Sequence, residues 1–226
     1  MAISVMDYGS WTRRTSVDLQ ADDCARWNFE LAADLPGGET IDVDACCRQL
    51  DAWTNRVRHE TQRLLPCFDR DRSRFDNSRA RFHLMAMVTV LQRDLGVRYA
   101  PACMTGDYDA RDCRPWFIHG LLSGRGGTCV SLPMLYLAVG RRLGYPLFLC
   151  ESASHFFVRW DGEDERLNVE CTSLGYRKDA ESDDHFRRFP QPLPPVLERS
   201  GCVLRELWAS RDARAHAAAT QPLSFR

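Results

Sequence analysis

The spacing of hydrophobic residues divides the chain into a helical part and a strand-like part. Apolar residues three and four apart line one face of a helix, and this spacing recurs over about 42–65, 78–94 and 132–143. The second of these stretches has almost no polar face, so we expect a helix that is buried on several sides. From 155 to 172 the side chains are expected to alternate between two faces instead, in two strands joined by a polar turn. The pattern predicts an α+β fold.

Capping residues and prolines predict where the helices begin and end. An aspartate or serine side chain can accept a hydrogen bond from the free N–H groups at a helix start, whereas proline has no N–H to continue a helix. The predicted boundaries are a short helix after Asp22 or Asp23, a cap at Asp42 or Asp44, a stop at Pro66, a polar linker over 67–77, a cap at Ser78 and a helix end at Gly144. Residues 99–116 are expected to form a long irregular connection, and this connection is expected to be one wall of a cleft.

Along this pattern lie residues with the chemistry of thiol catalysis. Cys129 follows the glycine-rich turn 124–128 and precedes a predicted helix, whose free N–H groups and dipole stabilise a thiolate. His155 opens the first predicted strand. Asn168 and Glu170 are two apart on the next strand, so they share a face, and antiparallel pairing would bring that face beside His155. A nucleophile, a base and a residue that orients the base are what thiol catalysis needs.

At these residues the sequence resembles the transglutaminase-like superfamily, whose members are related to papain. The matching motifs are 127–133, 140–146, 155–160 and 168–172, and the likeness extends upstream to 91–99 and 35–53. The nearest branch is a group of bacterial proteins with a helical segment before the core, many with tetratricopeptide repeats after it. The resemblance implies a papain-like core, in which the helix that carries the cysteine packs on an antiparallel sheet.

The resemblance also implies roles for individual residues. Cys129 would be the nucleophile, His155 the base and Glu170 the residue that orients the base. The superfamily usually has aspartate in the third position, so Asn168 stays an alternative, because papain-type enzymes use asparagine for the same task. Trp116 is a further candidate for orienting or oxyanion support, with packing as its favoured role. His119 competes with His155 as the base, but no strand-borne acid lies near it in the sequence.

We expect three segments along the chain. Residues 1–98 form a helical segment packed on the core, residues 99–212 form the catalytic core, and residues 213–226 form a disordered tail. No array of repeats follows the core in this sequence.

Composition argues against several classes of function. The chain has 30 basic and 31 acidic residues, which argues against nucleic-acid binding, and it has no run of the ~20 apolar residues that cross a membrane. Ten cysteines in a chain that is 44% hydrophobic favour reduced thiols in a self-sufficient core, and hence a cytoplasmic protein. Cys103, Cys113 and His119 have no matching fourth ligand, so we predict no metal or cofactor.

The activity expected from these residues is acyl transfer at an amide or peptide bond. A cysteine peptidase or amidase with a protein or peptide substrate is favoured, since water is always present to resolve a thioester. A transglutaminase or acyltransferase with an amine acceptor is the alternative. Two further hypotheses are a catalytically silent protein-binding domain of the same fold and a maturation protease that acts on one dedicated partner. The sequence leaves the oligomeric state open.

Overall fold

The computed structural model describes residues 23–152 and 155–187, where helices pack against a small antiparallel sheet. The α-helices are α1 (Cys24–Ala33), α2 (Val43–Arg70), α3 (Arg79–Thr89), α4 (Pro101–Thr105), α5 (Ile118–Leu122), α6 (Ser131–Arg142) and α7 (Asp183–Arg187). The strands are β1 (Leu147–Ser152), β2 (His155–Asp161) and β3 (Arg166–Val169). A π-helical turn, Val90–Asp94, continues α3, and 3₁₀ turns lie at Arg72–Phe75, Arg114–Trp116 and Lys178–Ala180. The α+β class predicted from the sequence is confirmed.

Several predicted helix boundaries are observed. The side chain of Asp42 accepts a hydrogen bond from the N–H of Ala45 at 2.8 Å, and so caps α2. Ser78 caps α3 in the same way. Helix α6 ends at Arg142 with Leu143 as its C-cap, and the next residue, Gly144, has a φ of +77°, which suits a residue without a Cβ atom. The tail predicted over 213–226 lies outside the described residues, and the domain division at residue 98 stays a prediction.

The predicted stop at Pro66 is wrong, because α2 continues to Arg70. Pro66 is exposed, so water can hydrogen-bond the carbonyl that the missing N–H leaves without a helical partner. Beyond Pro66, Phe68 is buried and stacks on Phe82, with the ring centroids 4.9 Å apart. This packing favours the extra turn over the local preference of proline. The stretch predicted as a polar linker therefore begins with the last turn of α2.

The sheet has the order β1-β2-β3, and both pairings are antiparallel. The β2–β3 hairpin agrees with the sequence prediction, whereas β1 was not predicted from the sequence. On one face of the sheet Val158 and Val169 join the main core, to which α6 contributes most of its length. On the other face Phe157 packs in a smaller cluster with Phe186 of α7. Because both faces are covered, His155 at the start of β2 is shielded from water.

Candidate active site

Cys129 lies in a tight turn two residues before α6, and its side chain is partly exposed. The hydroxyl of Ser131 holds this turn, because its oxygen accepts the N–H of Thr128 at 2.9 Å. The same hydroxyl donates to the carbonyl of Pro115 at 2.7 Å. Ser131 is fully buried, so neither bond competes with water. The turn is thereby attached to the preceding connection and presents the thiol at the surface.

Steric constraints explain why glycine occupies the positions just before Cys129. A Cβ atom added to Gly127 would lie 2.3 Å from the Ser131 hydroxyl and 2.8 Å from the Leu121 side chain. Gly126 has a φ of +89°, a left-handed conformation that L side chains avoid. The backbone of Gly127 also forms a parallel bridge with Tyr99. The glycine-rich approach therefore lets the chain pass close to its neighbours just before the thiol.

The fold brings Cys129, His155 and Glu170 together. The imidazole of His155 interacts with the Cys129 side chain, and its Nε2 lies 2.8 Å from Oε2 of Glu170. Cys129 precedes α6, His155 is the first residue of β2, and Glu170 directly follows β3. Three different elements of the fold, α6, β2 and β3, thus each position one member.

Thr172 fixes the second oxygen of the Glu170 carboxylate. Oε1 accepts the Thr172 N–H at 2.8 Å and the Thr172 hydroxyl at 2.5 Å, which leaves Oε2 for His155. Burial raises the pKa of Glu170, but the hydrogen bonds from His155 and Thr172 outweigh it, so this pKa lies below its usual range. The carboxylate is therefore ionised near neutral pH.

The protonation of His155 is set by its two partners. Burial by itself lowers the pKa of His155, but its hydrogen bonds and charge interactions with Cys129 and Glu170 raise that pKa to about 9. Phe186 of α7 is buried and covers this region, with its ring centroid 6.2 Å from that of His155. The protonated imidazole is therefore stabilised by the buried carboxylate on one side and by Cys129 on the other.

The two other residues predicted for the site have different surroundings. Asn168 is buried, accepts a hydrogen bond from Arg159 at 2.8 Å and donates one to Asp183 at 2.9 Å. Its polar atoms therefore bond both members of the ion pair between the buried Arg159 and the partly exposed Asp183, which ties α7 to the sheet. Trp116 is partly buried, and its ring meets that of Tyr108 edge-on at 6.1 Å.

Sequence reasoning did not find the supporting residues Ser131, Thr172 and Phe186. Ser131 and Thr172 lie inside the quoted motifs, but nothing in the local pattern says which backbone group or carboxylate their hydroxyls meet. Phe186 is distant from His155 in sequence, and only the tertiary fold brings the two rings together.

A second thiol–imidazole pair lies elsewhere in the fold. The Cys113 sulfur is 3.9 Å from His119 Nε2, and both side chains are buried. Between residues 23 and 187, leaving out 153–154, no group of three or more His, Cys, Asp or Glu side chains is placed to hold a metal ion. None of the helices in the same ranges combines the length and hydropathy of a membrane span.

A thiol at a helix start and an imidazole and a carboxylate on adjacent strands fit the class of thiol-dependent acyltransferases and peptidases. The chain belongs to the transglutaminase-like superfamily, whose family pattern matches residues 44–186. It is also similar to F-box only protein 21 of Mus musculus, with 43% identity over 44 residues. That match covers 20% of this chain and only 7% of the mouse protein. No solved structure matches the chain. The bacterial branch and its repeats stay predictions.

Proposed function

We propose that this protein is a thiol-dependent acyl-transfer enzyme that hydrolyses amide or peptide bonds through Cys129, His155 and Glu170. The observation that supports this most strongly is the position of His155, whose imidazole interacts with the Cys129 thiol and is hydrogen-bonded to the buried carboxylate of Glu170. Protein or peptide substrates in the cytoplasm are part of the proposal.

The first half of the proposed reaction forms a thioester. Because His155 Nε2 faces Glu170, the other ring nitrogen takes the thiol proton, and the thiolate attacks the carbonyl carbon. The N–H of Cys129 has no hydrogen-bond partner within the described ranges, so it can donate to the oxyanion together with the N-terminus of α6. His155 then protonates the departing amine as the C–N bond breaks.

The second half resolves the thioester. His155 takes a proton from water, the resulting oxygen nucleophile attacks the acyl carbon, and the Cys129 sulfur leaves as thiolate and is reprotonated. A primary amine in place of water would give transamidation. We favour hydrolysis because water needs no binding site, whereas an amine acceptor needs one of its own.

Product analysis tests the proposal directly. The full chain and a Cys129→Ala variant are incubated with peptide mixtures, with and without hydroxylamine, and the products are identified by mass spectrometry. We expect carboxylic acids from the wild type alone and hydroxamates where hydroxylamine intercepts the thioester. Amine-coupled products without released acid would instead identify a transamidase.

Site-resolved alkylation tests the nucleophile without a known substrate. At pH 6.5 an ordinary thiol, with a pKa of ~8.5, is only about 1% ionised. We expect Cys129 to react with iodoacetamide at least about tenfold faster than the exposed Cys67. Equal rates at the two residues, together with no product that depends on Cys129, would overturn the enzyme proposal in favour of a silent binding domain.

A further inference from the structure

A glutamine on the π-helical turn reaches the loop that follows Glu170. Gln92 Nε2 donates to the carbonyl of Ser173 at 2.9 Å, and its Oε1 accepts the N–H of Gly175 at 2.7 Å. The same Nε2 donates to the hydroxyl of the fully buried Tyr136 at 3.0 Å. One amide thus fixes both ends of the segment 173–175 and is itself anchored in the core.

The segment held by Gln92 is connected to the carboxylate that faces His155. Thr172, one residue before it, gives its N–H and its hydroxyl to Oε1 of Glu170. The hydroxyl of Ser173 adds a longer bond, 3.4 Å, to the Glu170 backbone carbonyl. Because these contacts hold Oε1, only Oε2 is directed at His155. The position of the loop therefore decides the orientation of the carboxylate.

The π turn explains why Gln92 lies where it does. The N–H of Leu95 donates to the carbonyl of Val90 at 3.0 Å, five residues back. A π turn accommodates one more residue than an α turn, so side chains in and after it are rotated about the axis relative to an uninterrupted α-helix. Gln92 is partly buried against the loop, whereas the side chain of its neighbour Arg93 is 83% exposed. The irregular turn therefore directs an amide towards residues 173–175.

We propose that Gln92 is a positioning residue for the Glu170 carboxylate. It acts through the 173–175 segment and Thr172, and it contacts neither His155 nor Cys129. Its consequence for catalysis rests on the proposed function, whereas its effect on the protonation of His155 does not.

The test compares Gln92→Met with a matched control. Methionine has nearly the length of glutamine but cannot make the three hydrogen bonds. Gln49→Met is the control, because Gln49 Nε2 donates to the backbone carbonyl of Leu122 at 3.0 Å, a bond of the same kind in another part of the fold. The pKa of His155 is measured by ¹⁵N NMR of the imidazole, and alkylation of Cys129 is measured at pH 6.5.

We expect the pKa of His155 to fall from about 9 towards its usual ~6.5 in Gln92→Met, with alkylation of Cys129 about tenfold slower. Gln49→Met should keep both values of the wild type. A role that is only structural would lower the melting temperature of Gln92→Met and leave the pKa of His155 unchanged. An unchanged His155 pKa in folded Gln92→Met would overturn the proposal.

Two further variants keep the test decisive. Gln92→Asn keeps the amide but shortens its reach, so it serves if Gln92→Met does not fold, with the same direction expected. Thr172→Val removes one bond to Oε1, and its effect should be less than additive with that of Gln92→Met, because both act on the same carboxylate. If the His155 pKa responds as expected while wild-type Cys129 reacts no faster than Cys67 and no product depends on Cys129, then the positioning role stands and the proposed function fails.

Discussion

The part of the chain that the structure describes contains two thiol–imidazole pairs, whose histidines are equally buried but have different surroundings. The rings of His155 and His119 are similarly shielded, at 9% and 8% exposure. Burial lowers the pKa of His119, and the charge of Asp112 opposes this without reversing it. At His155 the carboxylate of Glu170 and the thiol of Cys129 reverse that effect. Burial of the imidazole therefore does not distinguish the pairs, whereas the buried carboxylate beside His155 does.

The two sulfurs differ in the same sense. Burial, reinforced by the charge of Asp112, raises the pKa of the Cys113 thiol. Cys113 is 6% exposed and points towards the carbonyl of Ala32, so its proton stays on sulfur and no reagent approaches easily. Cys129 is partly exposed at the start of α6. Proximity of a thiol and an imidazole is thus insufficient, because charge compensation and access decide which pair can react.

The largest effect is expected from removing each imidazole. In His155→Ala, alkylation of Cys129 at pH 6.5 should fall by about 100-fold, because the thiol loses the base that takes its proton. In His119→Ala, alkylation of Cys113 should change less than about threefold, since burial already limits that thiol. Mass spectrometry of each labelled cysteine measures both rates in one sample. Similar losses at both cysteines would erase the distinction between the pairs.

The carboxylate is the next part of the comparison to test. Glu170→Gln keeps the shape of the side chain but removes its charge, so we expect the His155 pKa to fall from about 9 and Cys129 alkylation at pH 6.5 to fall about tenfold. Thr172→Val, which removes one donor to Oε1, should have the same direction and a smaller size. If Glu170→Gln has the reactivity of the wild type, the carboxylate is not what separates the two pairs.

Stability should depend on pH through the same group. The raised pKa of His155 contributes stability that is complete below its unfolded value of ~6.5 and is lost as pH rises through about 9. The free energy of unfolding should therefore fall by up to about 3 kcal/mol across this window, and by less in Glu170→Gln. Urea titrations at a series of pH values measure both proteins. A window that is the same in both would contradict the assignment to the His155–Glu170 pair.

The smallest effect is expected at the second pair. Cys113→Ala removes one buried sulfur and leaves a small cavity, which costs about 1 kcal/mol of stability. Alkylation of Cys129 should stay within about twofold of the wild type, because no hydrogen bond links the two sites in the described ranges. Thermal unfolding and labelling at pH 6.5 measure the two quantities. A large loss of Cys129 reactivity would show that the pairs are coupled.

The sequence by itself determined the α+β class, the helix after Cys129, the β2–β3 hairpin and the superfamily. These features follow from local signals, such as apolar spacing, the caps at Asp42 and Ser78, and the glycine at position 144 just after α6. Such signals depend on neighbours in the chain and are therefore visible in its residues. The stop of α2 predicted at Pro66 was wrong, because the packing of Phe68 outweighed the local preference of proline to end a helix.

Tertiary structure alone decided how the side chains of the site meet. From the sequence, Glu170 and Asn168 were both candidates to orient His155, since both lie on one face of the same strand. In the fold, the Glu170 carboxylate is hydrogen-bonded to His155, whereas the side-chain oxygen of Asn168 accepts a hydrogen bond from the buried Arg159. The same holds for the amide of Gln92, which the π turn directs towards the carbonyl of Ser173. Hydrogen bonds between residues far apart in the chain depend on packing, so only the folded molecule determines them.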